Sequence, residues 1–182
     1  MPSSGTMDTR RAGRQHIGVG VAALVFDPQG RVFLARRGPL ASNEQGAWAE
    51  PGGEVEFGEP LVEAVCREVF EEFDMVVAPL EQLAAFDHLL PDGQEHWVSV
   101  AFLALHVSGV PRIMEPGKCS ACGWFALDAL PTPLTAICEA HVRAYLNKFG
   151  VGGLPREAAL ALAPAGMAVQ GRPLALWNGG ER

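Results

Sequence analysis

Two runs of apolar residues near the start of the chain flank a polar turn and predict a β-hairpin within residues 16–38. The runs are rich in Val, Leu and Phe, residues that favour strands. The turn runs from Asp27 to Gly30 with proline second and glycine last, as a type I turn prefers. Residues 39–53 are rich in Gly, Pro and Asn without an apolar period, so this segment predicts a loop.

The apolar period changes to that of a helix at Pro60. Apolar residues then recur at three- and four-residue spacing, which predicts an amphipathic helix with one face on the core. Proline suits the first helical position, and the helix is expected to end near Asp74, since Asp tolerates the left-handed backbone of a helix end. Another face carries Glu68, Glu71 and Glu72 at i, i+3 and i+4, so these carboxylates project together.

Further elements are predicted from residue 83 onward. They are strands at residues 83–89, 97–107 and 123–127, with a turn at residues 90–95, and a helix at residues 134–149. Beyond Gly150, residues 151–182 are rich in Ala, Leu, Gly and Pro with broken periodicity. The apolar content of this extension predicts that it is buried against the domain or a partner.

The composition indicates one domain with tails. A chain of 182 residues, 48% hydrophobic, is long enough for a single core. We assign residues 16–150 to the domain, 1–15 to a disordered tail and 151–182 to the extension. The first 15 residues lack the apolar segment of a secretory signal, and the longest apolar run is too short to span a bilayer. These features predict a cytoplasmic protein with no membrane partner.

The charge balance argues against a nucleic-acid polymer as the partner. The chain has a net charge of −7 and a pI near 5.2. It contains no Lys/Arg-rich block that would release counterions from a phosphate backbone. A single small polyanion held by a metal ion remains compatible with this composition.

The four cysteines include one C-x-x-C pair, Cys119 and Cys122. Such a pair is compatible with a zinc site or a redox centre. Zinc normally requires a second pair or histidines at ligand spacing, and the sequence has neither nearby. We therefore expect four reduced, structural thiols.

The acidic residues concentrate in one short stretch. Residues 52–72 carry seven glutamates against one arginine. In most helices, a trio such as Glu68, Glu71 and Glu72 is simply the solvent-exposed face. However, like charges at this spacing destabilise a helix by about 0.2–0.5 kcal/mol per pair, and no lysine lies among them. Clustered carboxylates suit Mg²⁺ or Mn²⁺, which would favour a pyrophosphate as the substrate group.

The same stretch resembles the Nudix box, G-x5-E-x7-R-E-U-x-E-E-x-G-U, where U is aliphatic. The matching residues are Gly53, Glu59, Arg67, Glu68, Val69, Glu71, Glu72 and Met75. One position departs from the pattern, since Asp74 stands where the family has glycine. That glycine ends the helix and has no side-chain chemistry, so metal binding is still expected.

The likeness extends over roughly residues 17–145. The segment "GAWAEPGGEVEFGE" is similar to the entry of MutT-like members, although Glu50 stands where these usually carry an apolar residue. The segment "MEPGKCSACGWFALDALP" resembles the E-P-x-K…W-F…L-P segment of nucleoside triphosphate diphosphatases in that group.

The resemblance implies a divalent-metal site. The implied ligands are Glu68, Glu71 and Glu72, with the Gly53 carbonyl as a further ligand. Glu68 is also implied to orient or deprotonate the attacking water, and Arg67 and Glu59 to pair and fix the loop to the helix. Family members often add a distant carboxylate, for which Glu115 is the candidate and Glu95 the substitute.

Several residues are candidates for binding the substrate. Arg36 or Arg37, at the end of the second strand, could meet the phosphates or simply be exposed, and Lys118 is a further candidate. A nucleobase stacks on aromatic rings for about 1–3 kcal/mol per base. The available rings are Trp48, Trp97, Trp124 and Phe125. Trp124 and Phe125 point oppositely in a strand, so one is expected in the core and the other is a pocket candidate.

The resemblance implies an α/β Nudix fold, a mixed β-sheet sandwiched between α-helices. It also implies Mg²⁺- or Mn²⁺-dependent hydrolysis of a nucleoside triphosphate to the monophosphate and pyrophosphate, and a homodimer. An ADP-ribose-type or dihydroneopterin triphosphate substrate fits the same chemistry. An idle, nucleotide-sensing domain is the alternative from another class, and the intact glutamate set argues against it.

Overall fold

The computed structural model describes residues 12–90 and 95–150, together with the backbone of two short paired strands beyond them. The strands are β1 Gly18–Phe26, β2 Val32–Arg37, β3 Trp48–Ala49, β4 Gly52–Glu54, β5 Val76–Leu89, β6 His96–Ser108, β7 Cys119–Phe125, β8 Ala168–Val169 and β9 Arg172–Pro173; the helices are α1 Leu61–Phe73 and α2 Ala136–Phe149. Strands β8 and β9 pair only with each other in the described residues.

The main sheet is mixed and has the order β3-β2-β1-β6-β5, with β4 also paired to β1 and β7 to β2. Strand β1 runs parallel to β6 along its whole length. It meets β2 only beside the turn, at Phe26 and Val32. Its first half pairs instead with β4. The hairpin strands therefore diverge, and the sequence Gly52-Gly53 lies alongside β1 in the middle of the sheet.

Each face of the sheet is covered by one helix. Side chains alternate along a strand, and successive residues of β1 and β2 accordingly enter two apolar clusters. Val21, Ala23 and Phe33 pack with α1, and Leu24 and Leu34 pack with α2. This arrangement confirms the expected mixed sheet sandwiched between helices.

The hairpin and the acidic helix form as predicted. Gly30 donates its backbone N–H to the Asp27 carbonyl (2.9 Å), which closes the turn. Asp74 ends α1 in the left-handed conformation with φ 56°, and its N–H donates to the Phe70 carbonyl. Pro60 differs from the prediction by one position, since it precedes the helix as the N-cap.

Other boundaries differ from the prediction. The expected loop at residues 39–53 contains β3 and the start of β4, whose glycine-rich sequence has no strand period. Strand β5 begins at Val76 rather than at residue 83. Its first part was not predicted because bulges beside Pro79 and Gln82 interrupt the alternation of side chains. Strand β7 covers residues 119–125, so only its end was predicted. Helix α2 begins after Thr135, whose hydroxyl oxygen accepts from the Cys138 N–H.

The ends of the chain are only partly described. The Gly13 carbonyl accepts a hydrogen bond from the His96 backbone N–H, and Arg14 forms an ion pair with the Glu95 carboxylate. Contacts with the domain therefore begin before residue 16. The predicted disorder of residues 1–11, the tip of the turn at residues 91–94 and the burial of the extension lie outside the described residues. Among the described helices, none is long and apolar enough to cross a membrane.

Candidate active site

Two glycines allow the chain to pass closely between β1 and α1. A Cβ atom at Gly52 would lie 2.1 Å from the Val21 carbonyl oxygen. A Cβ atom at Gly53 would lie 2.4 Å from the Glu68 carboxyl group. Only a residue without a side chain permits such an approach. The Gly53 backbone and the Glu68 carboxylate are therefore neighbours in the folded chain.

The carboxylate of Glu72 lies one helical turn after Glu68 and faces the same glycines. The Gly52 N–H donates to its Oε2 at 3.4 Å. Burial and the charge of Glu68 raise the pKa of Glu72 to about 7, and burial also raises the pKa of Glu68. Two adjacent carboxylates that are costly to ionise are suited to binding a cation.

Arg67 connects the loop to the helix. Its guanidinium donates two hydrogen bonds to Glu59, at 2.7 and 2.9 Å, and lowers the pKa of that carboxyl group. Another nitrogen donates to Glu68 (2.8 Å) and Glu71 (3.1 Å). Arg67 thus partly neutralises two members of the glutamate trio, Glu68 and Glu71. Glu72 lacks this contact.

The distant carboxylate Glu115 lies next to Glu72. Met114 donates its N–H to the Glu72 carbonyl (3.0 Å), and the Glu115 charge contributes to the raised pKa of Glu72. Lys118 donates to Glu115 at 3.0 Å. A cavity of about 60 Å³ is lined by Glu72, Glu115, Lys118, Arg36 and Arg37, among others. The fold thus brings together candidates from three separate parts of the sequence.

The two strand-end arginines are held by the loop that follows β2. Arg36 donates through Nε to the Gly46 carbonyl at 3.0 Å. Arg37 donates to the backbone and side-chain oxygens of Asn43, at 2.8 and 2.7 Å. Each guanidinium is therefore oriented rather than free to turn, and both reach the wall of the small cavity.

The substitute carboxylate, Glu95, lies in a different place. Its oxygens accept from Arg14 (2.8 Å) and from the Trp97 indole N–H (3.2 Å). It lines a second cavity of about 230 Å³, whereas the small cavity beside Glu72 has Glu115 in its wall. Of the two candidates, the fold places only Glu115 beside the glutamates of α1.

The two aromatic candidates of β7 are packing residues. Trp124 packs edge-on against Phe33 in the cluster under α1. Phe125 packs against Trp48 in the cluster under α2. Neither Trp124 nor Phe125 lines the two cavities beside the glycines. Both rings therefore pack against neighbouring aromatic side chains, and a stacking role of either one stays a prediction.

A buried pair beside the site was not predicted. Glu50 contacts the His141 ring through Nδ1, and both residues are buried. Glu50 lines both cavities. The only signal in the sequence was a charged residue at a position where the resemblance leads one to expect an apolar one. Its partner lies 91 positions away, which no local pattern reveals.

Two carboxylates and a backbone segment offer oxygen donors for a hard divalent cation, although the described residues contain no ready-made group of three or more His, Cys, Asp or Glu side chains that could hold a metal ion. Carboxylate oxygens of Glu68 and Glu72 and the backbone of Gly52-Gly53 converge in one place, and Mg²⁺ and Mn²⁺ prefer oxygen ligands.

The NUDIX domain family model matches residues 16–146. The chain belongs to the NUDIX family.

Other NUDIX proteins resemble this chain over its central part. A MutT NUDIX hydrolase from Burkholderia pseudomallei has a crystal structure that matches with 39% identity and a TM-score of 0.66, covering 71% of this chain and 98% of that one. The mouse 8-oxo-dGDP phosphatase NUDT18 is 30% identical over 132 residues, 71% of this chain. The NAD-capped RNA hydrolase NudC of Chromobacterium violaceum is 36% identical over 120 residues, 66% of this chain.

The matched region is only part of these two curated relatives. It spans 38% of the length of the mouse protein and 43% of the bacterial one. The similarity therefore concerns the NUDIX domain, which includes α1 and the Gly52-Gly53 segment.

The raised pKa of Glu72 predicts a pH-dependent stability of the metal-free domain. A carboxyl group with a folded-state pKa of about 7, against an ordinary 4.5, contributes stability that is fully present below pH 4.5 and is lost as the pH rises through 7. The total loss is on the order of 3 kcal/mol, of which about 1.3 kcal/mol falls between pH 6 and pH 8. Urea unfolding in EDTA at pH 6 and 8 measures it.

Two comparisons isolate the contribution of Glu72. Glu72→Gln should reduce this pH dependence, and adding Mg²⁺ to the wild type at pH 8 should restore stability. An unchanged pH dependence in Glu72→Gln would show that another group causes it.

The C-x-x-C pair of the NUDIX domain lies on β7 against the cluster under α1. Burial raises the pKa of both the Cys119 and the Cys122 thiols, and Cys119 donates to the Ala121 carbonyl at 3.2 Å. Zinc binds thiolates, so we expect no stoichiometric zinc and full activity in Cys119→Ser/Cys122→Ser. Metal analysis of the purified protein checks this, and one tightly held zinc per chain would contradict it.

Proposed function

We propose that this NUDIX domain hydrolyses a nucleoside triphosphate to the monophosphate and pyrophosphate with Mg²⁺ or Mn²⁺. The observation that supports it is the close approach of the Glu68 and Glu72 carboxylates to the Gly52-Gly53 backbone. Glu115 and Lys118 adjoin this cluster. Such a set of oxygen donors, with cationic side chains nearby, suits a metal-bound pyrophosphate.

The carboxylates of α1 would hold the metal. Glu68, Glu71 and Glu72 are the proposed ligands, with the Gly53 carbonyl and Glu115 completing the set. When bound, a divalent ion lowers the pKa of coordinated water and offsets charge on the phosphates. Glu68, which adjoins the glycine backbone, is the proposed group that orients or deprotonates the attacking water.

The remaining site residues would position these groups. The two hydrogen bonds from Arg67 to Glu59 fix the loop against α1, and a third to Glu68 orients that carboxylate. Arg36, Arg37 and Lys118 line the small cavity and are proposed to bind phosphate oxygens. Without them, the acidic residues would repel a polyphosphate.

Removal of a nucleoside cap from an RNA end is the second candidate. It is favoured by the similarity to a protein named as an NAD-capped RNA hydrolase. The same carboxylates would act on the pyrophosphate bond of the cap. This candidate also means that our expectation of no polymer partner must be tested directly.

A substrate panel tests the proposal. Nucleoside triphosphates, 8-oxo-dGDP, ADP-ribose and NAD-capped RNA are incubated with saturating Mg²⁺ or Mn²⁺. Hydrolysis of a triphosphate to the monophosphate should release phosphate only when inorganic pyrophosphatase is added. Direct phosphate release, or no release from any triphosphate with either metal, would contradict the proposed reaction, and cleavage of the capped RNA alone would favour the second candidate.

A homodimer that uses the extension remains a proposal. Residues 151–182 contain several large apolar residues, among them Leu160, Leu162, Leu174 and Trp177, and apolar surface of this size tends to be buried. Deletion from Gly153 onward should weaken assembly while the carboxylate chemistry survives. Sedimentation and specific activity of the truncated protein measure the two effects separately, and an unchanged dimer would contradict the interface.

A further inference from the structure

The loop between β2 and β3 contains a residue in a strained backbone conformation. Glu44 has a φ of 43°, in the left-handed region that favours glycine. Among the described residues other than glycine, Asp74 alone shares this feature, and Asp74 ends a helix. Glu44 has no such place at a helix end. A strained residue persists only where its surroundings hold it, so the contacts of Glu44 must supply the reason.

The side chain of Glu44 joins this loop to the start of α2. Its Oε1 accepts a hydrogen bond from the backbone N–H of Ala136 at 2.8 Å, across 92 positions of the chain. Its Oε2 lies 3.9 Å from the Nε2 atom of His88 on β5. The first turn of a helix leaves N–H groups without a partner inside the helix, and its partial positive charge attracts a carboxylate. The loop is therefore anchored to α2 through a single side chain.

Helix α2 has another cap of its own. The Thr135 hydroxyl oxygen accepts from the Cys138 N–H at 3.3 Å. Ala136 is exposed, so water can replace the Glu44 carboxylate at its N–H. Loss of the Glu44 contact is therefore expected to change the loop more than the helix.

The residues beside Glu44 hold the two arginines at the end of β2. The backbone and side-chain oxygens of Asn43 accept from Nε and Nη2 of Arg37, at 2.8 and 2.7 Å. The Gly46 carbonyl accepts from Nε of Arg36 at 3.0 Å. These acceptors lie within two positions of Glu44, so a shift of Glu44 would displace the partners of both guanidinium groups.

The arginines lie where the two cavities meet the loop. Arg36 and Arg37 line the small cavity beside Glu72, and Arg37 also lines the larger cavity of about 230 Å³, together with Asn43 and Glu44. A long side chain loses rotamer freedom when it binds a ligand, and orienting it beforehand lowers that cost. An anchored loop therefore favours binding of an anion by these arginines.

We propose that Glu44 is a positioning residue, which anchors the loop to α2 and thereby holds Arg36 and Arg37 in the orientation that receives the phosphates of the substrate. This inference rests on the proposed nucleotide hydrolysis. It concerns the binding of the phosphates rather than the chemical step.

Two substitutions separate the side chain of Glu44 from its backbone. Glu44→Gly removes the anchor, while glycine adopts a φ of 43° without strain. Glu44→Gln keeps an amide oxygen that can accept from the Ala136 N–H, so it keeps the anchor. If only the backbone of this residue mattered, the glycine variant would be the better tolerated of the two. The positioning role predicts the opposite order.

Steady-state kinetics use Mg²⁺ and the triphosphate that the wild type hydrolyses fastest. Glu44→Gly should raise KM by about tenfold, the size expected when one oriented hydrogen bond from a charged group is weakened. Its kcat should change by less than about twofold, because a loss of binding shared by the ground state and the transition state appears in KM. Glu44→Gln should stay within about threefold of the wild-type KM, since a neutral acceptor replaces a charged one.

The control variant is Glu139→Gln. It removes an exposed carboxylate from the first turn of α2 without touching the loop, and it should keep the wild-type KM. A role confined to folding would lower the Tm of Glu44→Gly and leave its KM unchanged. That result, or an equal rise of KM in the glycine and glutamine variants, would overturn the inference.

Binding of inorganic pyrophosphate separates this inference from the proposed reaction. Calorimetry with inorganic pyrophosphate and Mg²⁺ measures phosphate binding without any chemistry. If no triphosphate is hydrolysed but Glu44→Gly binds pyrophosphate about tenfold more weakly than the wild type and Glu44→Gln do, the reaction fails and the role of Glu44 stands. If triphosphates are hydrolysed and the three proteins bind pyrophosphate equally, the reaction stands and the role of Glu44 fails. Absence of pyrophosphate binding by the wild type would also overturn the role of Glu44.

Discussion

Glu72→Gln is expected to lower kcat by at least about 100-fold while the protein stays folded. Loss of a partner that merely orients a metal ligand costs roughly 10–100-fold, and Glu72 is proposed as a ligand itself. Glutamine keeps the shape and removes the charge that the ion requires. Glu71→Gln is expected to have a similar effect on turnover, although Glu71 is half-exposed and paired with Arg67.

The control for this loss is on the same helix. Glu63→Gln removes an exposed carboxylate from the first turn of α1 and should leave kcat unchanged. Steady-state rates at saturating Mg²⁺, with circular dichroism to verify folding, compare the variants. Wild-type activity in either Glu71→Gln or Glu72→Gln would show that the corresponding carboxylate does not hold the metal.

Gly53→Ala is expected to damage the site through geometry alone. The added methyl group would lie 2.4 Å from the carboxyl carbon of Glu68, so the carboxylate or the loop must move. A misplacement of about 1 Å in a catalytic site costs about 100-fold in rate. We therefore expect a loss of that size in kcat, together with weaker Mg²⁺ binding.

Gly123→Ala provides the matched control. Its added Cβ would meet only the Phe125 ring, at 3.5 Å, which is ordinary contact. Both variants add one methyl group to a strand glycine, so they should differ in activity far more than in Tm. Titration of Mg²⁺ by calorimetry measures the affinity directly. Unchanged Mg²⁺ affinity and rate in Gly53→Ala would contradict the proposed proximity of Glu68 and the Gly53 backbone.

Patterns within short segments of the sequence were sufficient for the hairpin and the box helix. The turn at Asp27 to Gly30 and the apolar period after Pro60 depend on residues a few positions apart. The end of α1 at Asp74 followed from the same local reasoning and is confirmed by its left-handed conformation. The spacing of Glu68 and Glu72 placed both on one face of the helix, and the structure shows them as neighbours of the glycine loop.

Other features required contacts between distant segments. Strands β3 and β4 have no apolar alternation. Strand β4 forms through its antiparallel pairing with β1. Trp124 and Phe125 were suitable for stacking by residue type, but in the fold their rings pack against Phe33 and Trp48. The choice between Glu95 and Glu115 likewise depended on which segment the fold brings to α1.

The sequence alone determined the hairpin, the acidic helix and the motif that identifies the family, because periodicity, turn chemistry and motif spacing are properties of neighbouring residues. The mixed sheet between helices was implied only by the family resemblance. The tertiary structure decided which carboxylates meet. Glu50 and His141 lie 91 residues apart, and Glu72 meets Glu115 only after β5 and β6 have paired and returned the chain to α1. Burial and neighbouring charges set the pKa values of Glu50 and Glu72, and both effects depend on every segment that packs around the carboxyl group.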